Sequence, residues 1–365
     1  MDVTEVREVA AAHAEEVDRE GRFPHEAVSA LRSSGLLGLT LPESVGGSGG
    51  GPAEFLDTMR EIASACGSTA AIYMMHICAA QVALAGSGGA DVPTVRGLAT
   101  GDSLGTLAFS ERGSRSHFWA PVSELQDEGA RFDADKSFVT SAGYADLYVV
   151  STRPSGAGPL ESSLYAVEAT AGGIEAGKAW DGLGMRGNAS APLRFMGSVP
   201  DGSLLGEKGK GIDLMLGVVL PWFQLGQGGL SLGLAQGALS VAVAHVTGAK
   251  LEHLGQSLSD LPTIRARMGR AQIDIDVLSG FLSDLARRMA EGDPNPPVLA
   301  AKAAANETAI RVTSEVMQMC GGAAISRALL MERYFRDARA GSVMAPTTDV
   351  LWELTGRAMA GLPLL

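Results

Sequence analysis

Aromatic side chains are scarce in this sequence, at 5% of 365 residues, while glycine reaches 47. A core must therefore be packed chiefly by Ala, Leu, Val and Met. Basic residues are also short: 29 Lys and Arg face 41 Asp and Glu, giving a formal charge of −12. Without a basic excess there is little to displace counterions from a polyanion, which excludes a chain that wraps nucleic acid or lies on anionic lipid. Cysteine is limited to Cys66, Cys78 and Cys320, each alone in an apolar segment, with no CxxC pair and no metal-ligand spacing. Buried, reduced thiols in a cytoplasmic protein are the expectation. The N-terminal stretch is charged and helical in pattern and lacks the apolar core of a secretory signal, which points the same way.

Charge of either sign is absent from Leu214 to Val246, a run long enough to span a bilayer. Pro221, Gln224, Gln227, Gln236 and several glycines interrupt it, so a helix buried inside a bundle is expected rather than a membrane span. Gly46, Ser48 and Gly50 match the G-x-S-x-G pattern of hydrolases. With no strand before them and no Asp and His in order, they read as a glycine loop.

Three textures follow one another along the chain. Residues 1–103 read as helical, with Val28, Leu31, Leu36 and Leu37 at helix spacing before the glycine loop, then helices from about Pro52 to Ser64 and Ala70 to Ala85. Over 104–211, short β-rich runs (LGTLAF, DLYVVST, SLYAVE, PLRFMG) alternate with Gly, Asp, Ser and Pro, as in a small antiparallel barrel or sandwich. Over 212–365 the pattern is helical again, in alanine-rich segments at 230–247, 263–291 and 297–320. The last carries Ile310, Thr313, Val316, Met317 and Cys320 along one face and stops at Gly321 and Gly322. The fold class expected is α+β, mainly α.

The order of these segments and their landmarks resembles the acyl-CoA dehydrogenase superfamily over nearly the whole chain. LGTLAFSERGS (104–114) is similar to that family's "TEP…GS" segment, and DADKSFVTSAGYADLYVVSTR (133–153) to "GxKxWITN…ADxxxVxAR". GLGMRGNAS with VPDGSLLGEKGKG is similar to "GMR…S…VPxxNxLGxxGxG", and QMCGGAAISRALLMERYFRDARAG (318–341) to "QxxGGxGy…eRxxRDar". The resemblance implies a C-terminal four-helix bundle after the β domain, and FAD as cofactor. It puts Phe109 and Ser110 at the pyrimidine edge of the flavin, Phe138 and Thr140 beside the ring, and Ser114 at the pyrophosphate. It puts Gln318, Gly321 and Gly322 against the ADP half of a FAD held by a neighbouring subunit, hence a homodimer or homotetramer. Thr347 and Asp349 fall on the adenosine side.

The sequence departs from the family where the substrate's proton is removed. The family's glutamate base stands in "Y-E-G-T", and the matching residues here are Met344, Ala345, Pro346 and Thr347, so Ala345 replaces it. The alternative address, on the long helix, holds Phe223; Pro221 and Gln224 stand where relatives carry an Asp and an Arg near the acyl-CoA, and Trp222 adds aromatic bulk beside Phe223. An apolar pocket lacking that carboxylate loses general base catalysis. Three readings stand open. One is a flavin-dependent oxygenase or hydroxylase acting on a small molecule, supplied with reduced flavin by a reductase, with His76 as candidate catalytic residue and His117 as a second choice. Another is an acyl-thioester dehydrogenase using a different base, such as Glu111 or Asp349. The third is a non-catalytic flavoprotein or partner subunit.

Overall fold

The computed structural model describes residues 2–115, 117–293, 295 and 297–364. Helix α1 (Val3–Glu20) starts where the Asp2 carboxylate accepts the Thr4 amide at 2.8 Å and stops at Gly21, whose φ of 65° lies in the left-handed region. It buries Val6, Ala10, Ala14 and Val17, one helical stripe. Helices α2 (His25–Ser34), α3 (Pro52–Ala65), α4 (Gly67–Gly86) and α5 (Pro93–Thr100) complete the first domain. Proline occupies the first position of α3 and α5, where no amide partner is lost.

The middle domain holds seven strands in two sheets: β1 (Gly105–Ala108), β2 (Arg131–Val139), β3 (Leu147–Thr152), β4 (Ser163–Glu168), β5 (Ile174–Ala176), β6 (Ala191–Ser198) and β7 (Leu204–Leu205). One sheet has the order β1-β3-β4-β7 and the other β2-β6-β5. The expectation of wholly antiparallel pairing needs one correction, because β1 and β3 run parallel. After β1 the chain leaves for β2 in the other sheet and returns as β3, so no hairpin joins them. Phe132, Tyr148, Tyr165 and Phe195 fill the space between the sheets.

The third domain begins with a short helix α6 (Gly211–Leu214) and a wide π turn at Met215–Val219 that runs into α7 (Leu220–Gly248). Helices α8 (Pro262–Ala290), α9 (Val298–Cys320), α10 (Met331–Asp337), α11 (Ala340–Val343) and α12 (Thr348–Met359) follow. Helix α7 packs against α3, α4, α8, α9 and α10 at once, which explains its freedom from charge. Its glycines make that contact close. A Cβ at Gly233 would stand 2.3 Å from the Arg60 carbonyl oxygen, and one at Gly237 would stand 2.4 Å from that of Ser64. Both runs long and apolar enough to cross a bilayer, Gly67–Gly86 and Gly211–Gly248, are mostly buried inside the molecule, as the sequence suggested for the second.

Candidate active site

A cleft of about 870 Å³ opens between the β domain and the C-terminal helices. This is within the range of roughly 300–1,000 Å³ usual for cofactor and ligand pockets. Three pieces of local geometry build it. First, strand β2 carries a bulge between Lys136 and Val139, and Phe138 there has φ 54°. The irregularity turns the Phe138 ring out of the sheet, 65% exposed, edge-on to Trp180 at 6.1 Å between centres. Second, Arg115, Ser141, Met185 and Ala189 also adopt positive φ, and Arg115 and Met185 line the cleft with Phe138. Non-glycine residues in that region are strained, and such strain gathers where the surrounding fold imposes a shape. Third, the π turn delivers Val219, and α7 after it Phe223, to the wall opposite.

Long-range contacts hold these pieces together. Met185 donates its amide to Asp337 at 2.7 Å. Burial pushes Asp337 up to about 6, against the pull of that amide and of Arg333. Arg336 donates to the Leu183 carbonyl and to both carboxylate oxygens of Asp18, and so ties α10 to α1 and to the loop that carries Trp180 and Met185. Across the cleft, Thr106 donates to the Thr140 carbonyl, and the Thr140 and Ser190 hydroxyls share a bond at 3.3 Å.

Among the described residues lining the cleft, Glu111 is the sole carboxylate. Its Oε1 accepts from Lys136 at 2.5 Å and its Oε2 from the amides of Val122 and Ser123 at 2.7 and 2.8 Å. Burial alone would raise Glu111, but the Lys136 ammonium and these amides outweigh it and hold the carboxyl below its usual range. With three accepted hydrogen bonds and an ammonium in contact, this carboxylate is held in its ionised form and made a weaker base than a free one. Ala345 lines the cleft with nothing but a methyl group. Below it, the fully buried Lys302 donates to the carbonyls of Met344 at 2.9 Å and Pro346 at 2.6 Å, and its Nζ lies 5.8 Å from the centre of the Phe223 ring. Burial brings Lys302 down to about 7.

Of the residues singled out in the sequence, Phe109, Ser110, Phe138, Thr140, Phe223 and Ala345 meet around this cleft. Others do not. His76, the catalytic candidate, is fully buried: Gly105 donates its amide to Nδ1 at 3.0 Å, so Nε2 carries the proton and donates to the Leu37 carbonyl at 3.0 Å. Burial brings it down to about 4, and it is a neutral structural residue. Ser114 turns inward as well, its hydroxyl bonded within its own turn to the Glu111 backbone. Trp222 packs edge-on to Phe55, and Gln224 is fully buried in the helical core, so neither lines the cleft. Gln318, Gly321 and Gly322 lie exposed at the end of α9, away from the cleft of their own chain. Thr347 bonds Asp349 at the start of α12. Asp349 and His117 wall a second hollow of about 620 Å³ with Trp119, Glu353 and Arg357. This neighbours the cleft, since Phe118 lines one and Trp119 the other. The sequence reading missed Trp180, Lys302, Arg336 and Asp337. Trp180 left a signal as one of 4 tryptophans in a chain poor in aromatics, and Arg336 and Asp337 as part of the run MERYFRDARAG, which carried the resemblance without assigning them a role; Lys302 left none.

Comparison with known proteins matches this arrangement domain by domain. Residues 4–102, 106–197 and 209–360 match the N-terminal, middle and C-terminal domains of acyl-CoA dehydrogenase. The chain is 27% identical over 348 residues to a probable acyl-CoA dehydrogenase, YngJ, of Bacillus subtilis, covering 93% of this chain and 91% of that one. It is 28% identical over 346 residues to the human mitochondrial short-chain specific acyl-CoA dehydrogenase, covering 92% and 83%. In fold it is similar to butyryl-CoA dehydrogenase from Megasphaera elsdenii, with a TM-score of 0.88 at 24% identity over 99% of this chain and 98% of the other. It is equally similar to FMN-bound TdsC from Paenibacillus sp. A11-2, with a TM-score of 0.89 at 24% identity over 99% and 97%. With three domains matched in order and the likeness running the length of the chain, the protein belongs to the acyl-CoA dehydrogenase family of flavoproteins.

Proposed function

We propose that this chain is a FAD-dependent oxygenase or hydroxylase of a small, largely apolar substrate, rather than a dehydrogenase of saturated acyl thioesters. The observation that carries this is the cleft wall, where the one carboxylate, Glu111, is tied to Lys136, Val122 and Ser123 and Ala345 stands at the base position. FAD, when bound, supplies a two-electron centre that takes hydride from a substrate or, once reduced, reacts with dioxygen. The residues present fit a flavin. Phe138 and Trp180 offer an aromatic wall, Ser110 and the Thr140–Ser190 pair offer hydroxyls, and strained backbone at Phe138, Ser141 and Met185 shapes the opening. Phe109, Phe118, Phe223 and Met344 keep the substrate side apolar and limit water.

On this reading the second hollow, with Asp349, receives the adenosine side. The exposed Gln318, Gly321 and Gly322 reach a FAD held by another copy, which makes a homodimer or homotetramer the working form. A reductase supplies reduced flavin, and the protein works in the cytoplasm. The competing reading, dehydrogenation of an acyl-CoA, is favoured by the names of the relatives. It needs a base at the α-carbon, a step worth about 10²–10⁴-fold. Anaerobic mixing of the flavin-loaded protein with butyryl-CoA and octanoyl-CoA separates the two. Persistence of the flavin absorbance over minutes is expected, followed by fast, substrate-dependent reoxidation when the chemically reduced protein meets dioxygen and an aromatic or heterocyclic substrate. Bleaching within seconds by either acyl-CoA would remove the oxygenase reading.

A further inference from the structure

Behind the cleft, helix α9 buries two polar side chains completely, Lys302 and Asn306. Four residues apart, they share one face of the helix. Lys302 donates to the carbonyls of Met344 at 2.9 Å and Pro346 at 2.6 Å. Asn306 Nδ2 donates to the Gly341 carbonyl at 3.0 Å and to the Thr348 hydroxyl at 3.4 Å. One helix thus holds the stretch 341–348 along its length. A buried amine is costly without partners, and Lys302 has no carboxylate partner among the described residues. Its partners are these two carbonyls, and the amine keeps an N–H for each in either protonation state.

The stretch so held is a wall of the cleft, which Ser342, Val343, Met344 and Ala345 line. It has little apolar anchorage of its own, with Val343 73% exposed and Met344 half-buried. Its backbone rests directly on the polar side chains: a Cβ at Gly341 would stand 2.3 Å from Asn306 Oδ1 and 2.6 Å from Gln227 Nε2. Gln227 donates to Ser231 and Ser231 to Asn306 Oδ1, which braces the support from α7. Lys302 also faces the Phe223 ring, 5.8 Å from its centre, so one amine stands behind both Ala345 and Phe223. Phe109 and Phe118, in the same cleft, lie nearly parallel, with planes 11° apart and centres 6.2 Å apart. We propose that Lys302 and Asn306 are positioning residues that fix the Met344–Ala345 wall, making the cleft a slot that takes flat rings and rejects thicker guests of equal carbon count. A wall held by side-chain packing alone would yield to a thicker guest. This one would have to break buried hydrogen bonds and leave their donors unsatisfied. The inference rests on the reading that the apolar side of the cleft receives the substrate, whatever reaction follows there.

The test is equilibrium dialysis of planar naphthol and globular adamantanol, which have the same number of carbons, against the FAD-loaded protein. The parent should bind naphthol more tightly by about tenfold or more, because a rigid site cannot widen for the thicker guest. Lys302→Met keeps the alkyl stem and removes the donors; Asn306→Ala removes the other pair of bonds. In each variant the ratio should fall to about threefold or less while FAD affinity matches the parent's. Hydrogen exchange should quicken in a peptide covering 340–348, with the rest of the chain as protected as before. A general loss of stability would weaken both ligands alike and leave the ratio unmoved. If Lys302→Met does not fold, Asn306→Ala, the smaller change, decides the matter. A parent that does not discriminate, or variants that keep the parent's ratio, would overturn the inference. Variants that lose FAD in step with naphthol would overturn it as well, because the pair would then hold the fold at large. Should FAD bind none of the proteins, the flavin reading fails instead, and dialysis against the flavin-free chains still compares the walls.

Discussion

His76 spends both ring nitrogens on backbone partners, Gly105 and Leu37, and the consequence of losing it follows from that. His76→Ala should cost about 2–5 kcal/mol, as a cavity plus an unpaired buried amide and carbonyl, and should leave flavin affinity unchanged. Its folded value of about 4 lies below the ordinary 6.5, so the native state binds fewer protons than the unfolded one between those limits. The stability this confers is present above pH 6.5 and is lost as pH falls toward 4, by an amount on the order of 3 kcal/mol. Asp337 acts in the opposite sense. Its value of about 6 is raised, so its contribution is complete below pH 4 and fades as pH rises through 6. Asp337→Asn, which keeps an acceptor for the Met185 amide, should therefore gain stability relative to the parent as pH rises from 4 to 7. Denaturant melts of the parent and the variant at pH 4.5, 5.5 and 7 read both slopes. A parent–variant difference independent of pH would contradict the assigned charge state. Neither residue's role was legible in the sequence. His76 occupies the helix where a pocket residue was expected, and only the register of α4 against β1 turns it toward Gly105.

At the scale of elements, the same residue type does opposite things in neighbouring helices. Gly233 on α7 faces α3 so closely that any side chain collides with the Arg60 carbonyl, whereas Gly269 and Gly280 on α8 have nothing within 4 Å of an added Cβ. Gly233→Ala should destabilise by about 1–3 kcal/mol through overpacking. Gly269→Ala should stabilise by about 0.5–1 kcal/mol, because alanine loses less backbone entropy in a helix. Melting temperatures moving in opposite directions would bear this out; a Gly233→Ala protein as stable as its parent would not. The helices were readable from composition: segments expected at 230–247, 263–291 and 297–320 are found at Leu220–Gly248, Pro262–Ala290 and Val298–Cys320. Their 3.6-residue pattern and terminal prolines and glycines are local signals. The parallel pairing of β1 with β3 was not readable, because strand partners depend on how the chain crosses between sheets.

At the scale of the whole molecule, one side chain joins three domains. Arg336 on α10 bonds Asp18 on α1 and the Leu183 carbonyl of the β domain, with 17% of its side chain exposed. Arg336→Ala strands Asp18 beside a half-buried gap and should cost about 2–4 kcal/mol. It should also loosen the loop carrying Trp180 and Met185, so limited proteolysis should cut between 180 and 187 faster than in the parent, and flavin affinity should fall. Arg336→Lys, which cannot reproduce the paired fork, should fall between the two. Cleavage of Arg336→Ala at the parent's rate would show that the domains are held by their apolar contacts alone.

The sequence by itself determined the helix–sheet–helix order, the burial of the charge-free α7 and the lack of a carboxylate at Ala345 and Phe223. Each rests on a periodicity, a composition or the identity of one residue, all of which are local. Tertiary structure alone decided which charges survive at the cleft. Glu111 and Lys136 stand 25 residues apart, and Asp337 and Met185 152. The β2 bulge then sets which way Phe138 faces. Pairings over such separations depend on strand crossing, bulges and helix register. These bring a side chain to its partner or leave it, like Arg112 and Arg115, with none among the described residues, and no local pattern records the outcome.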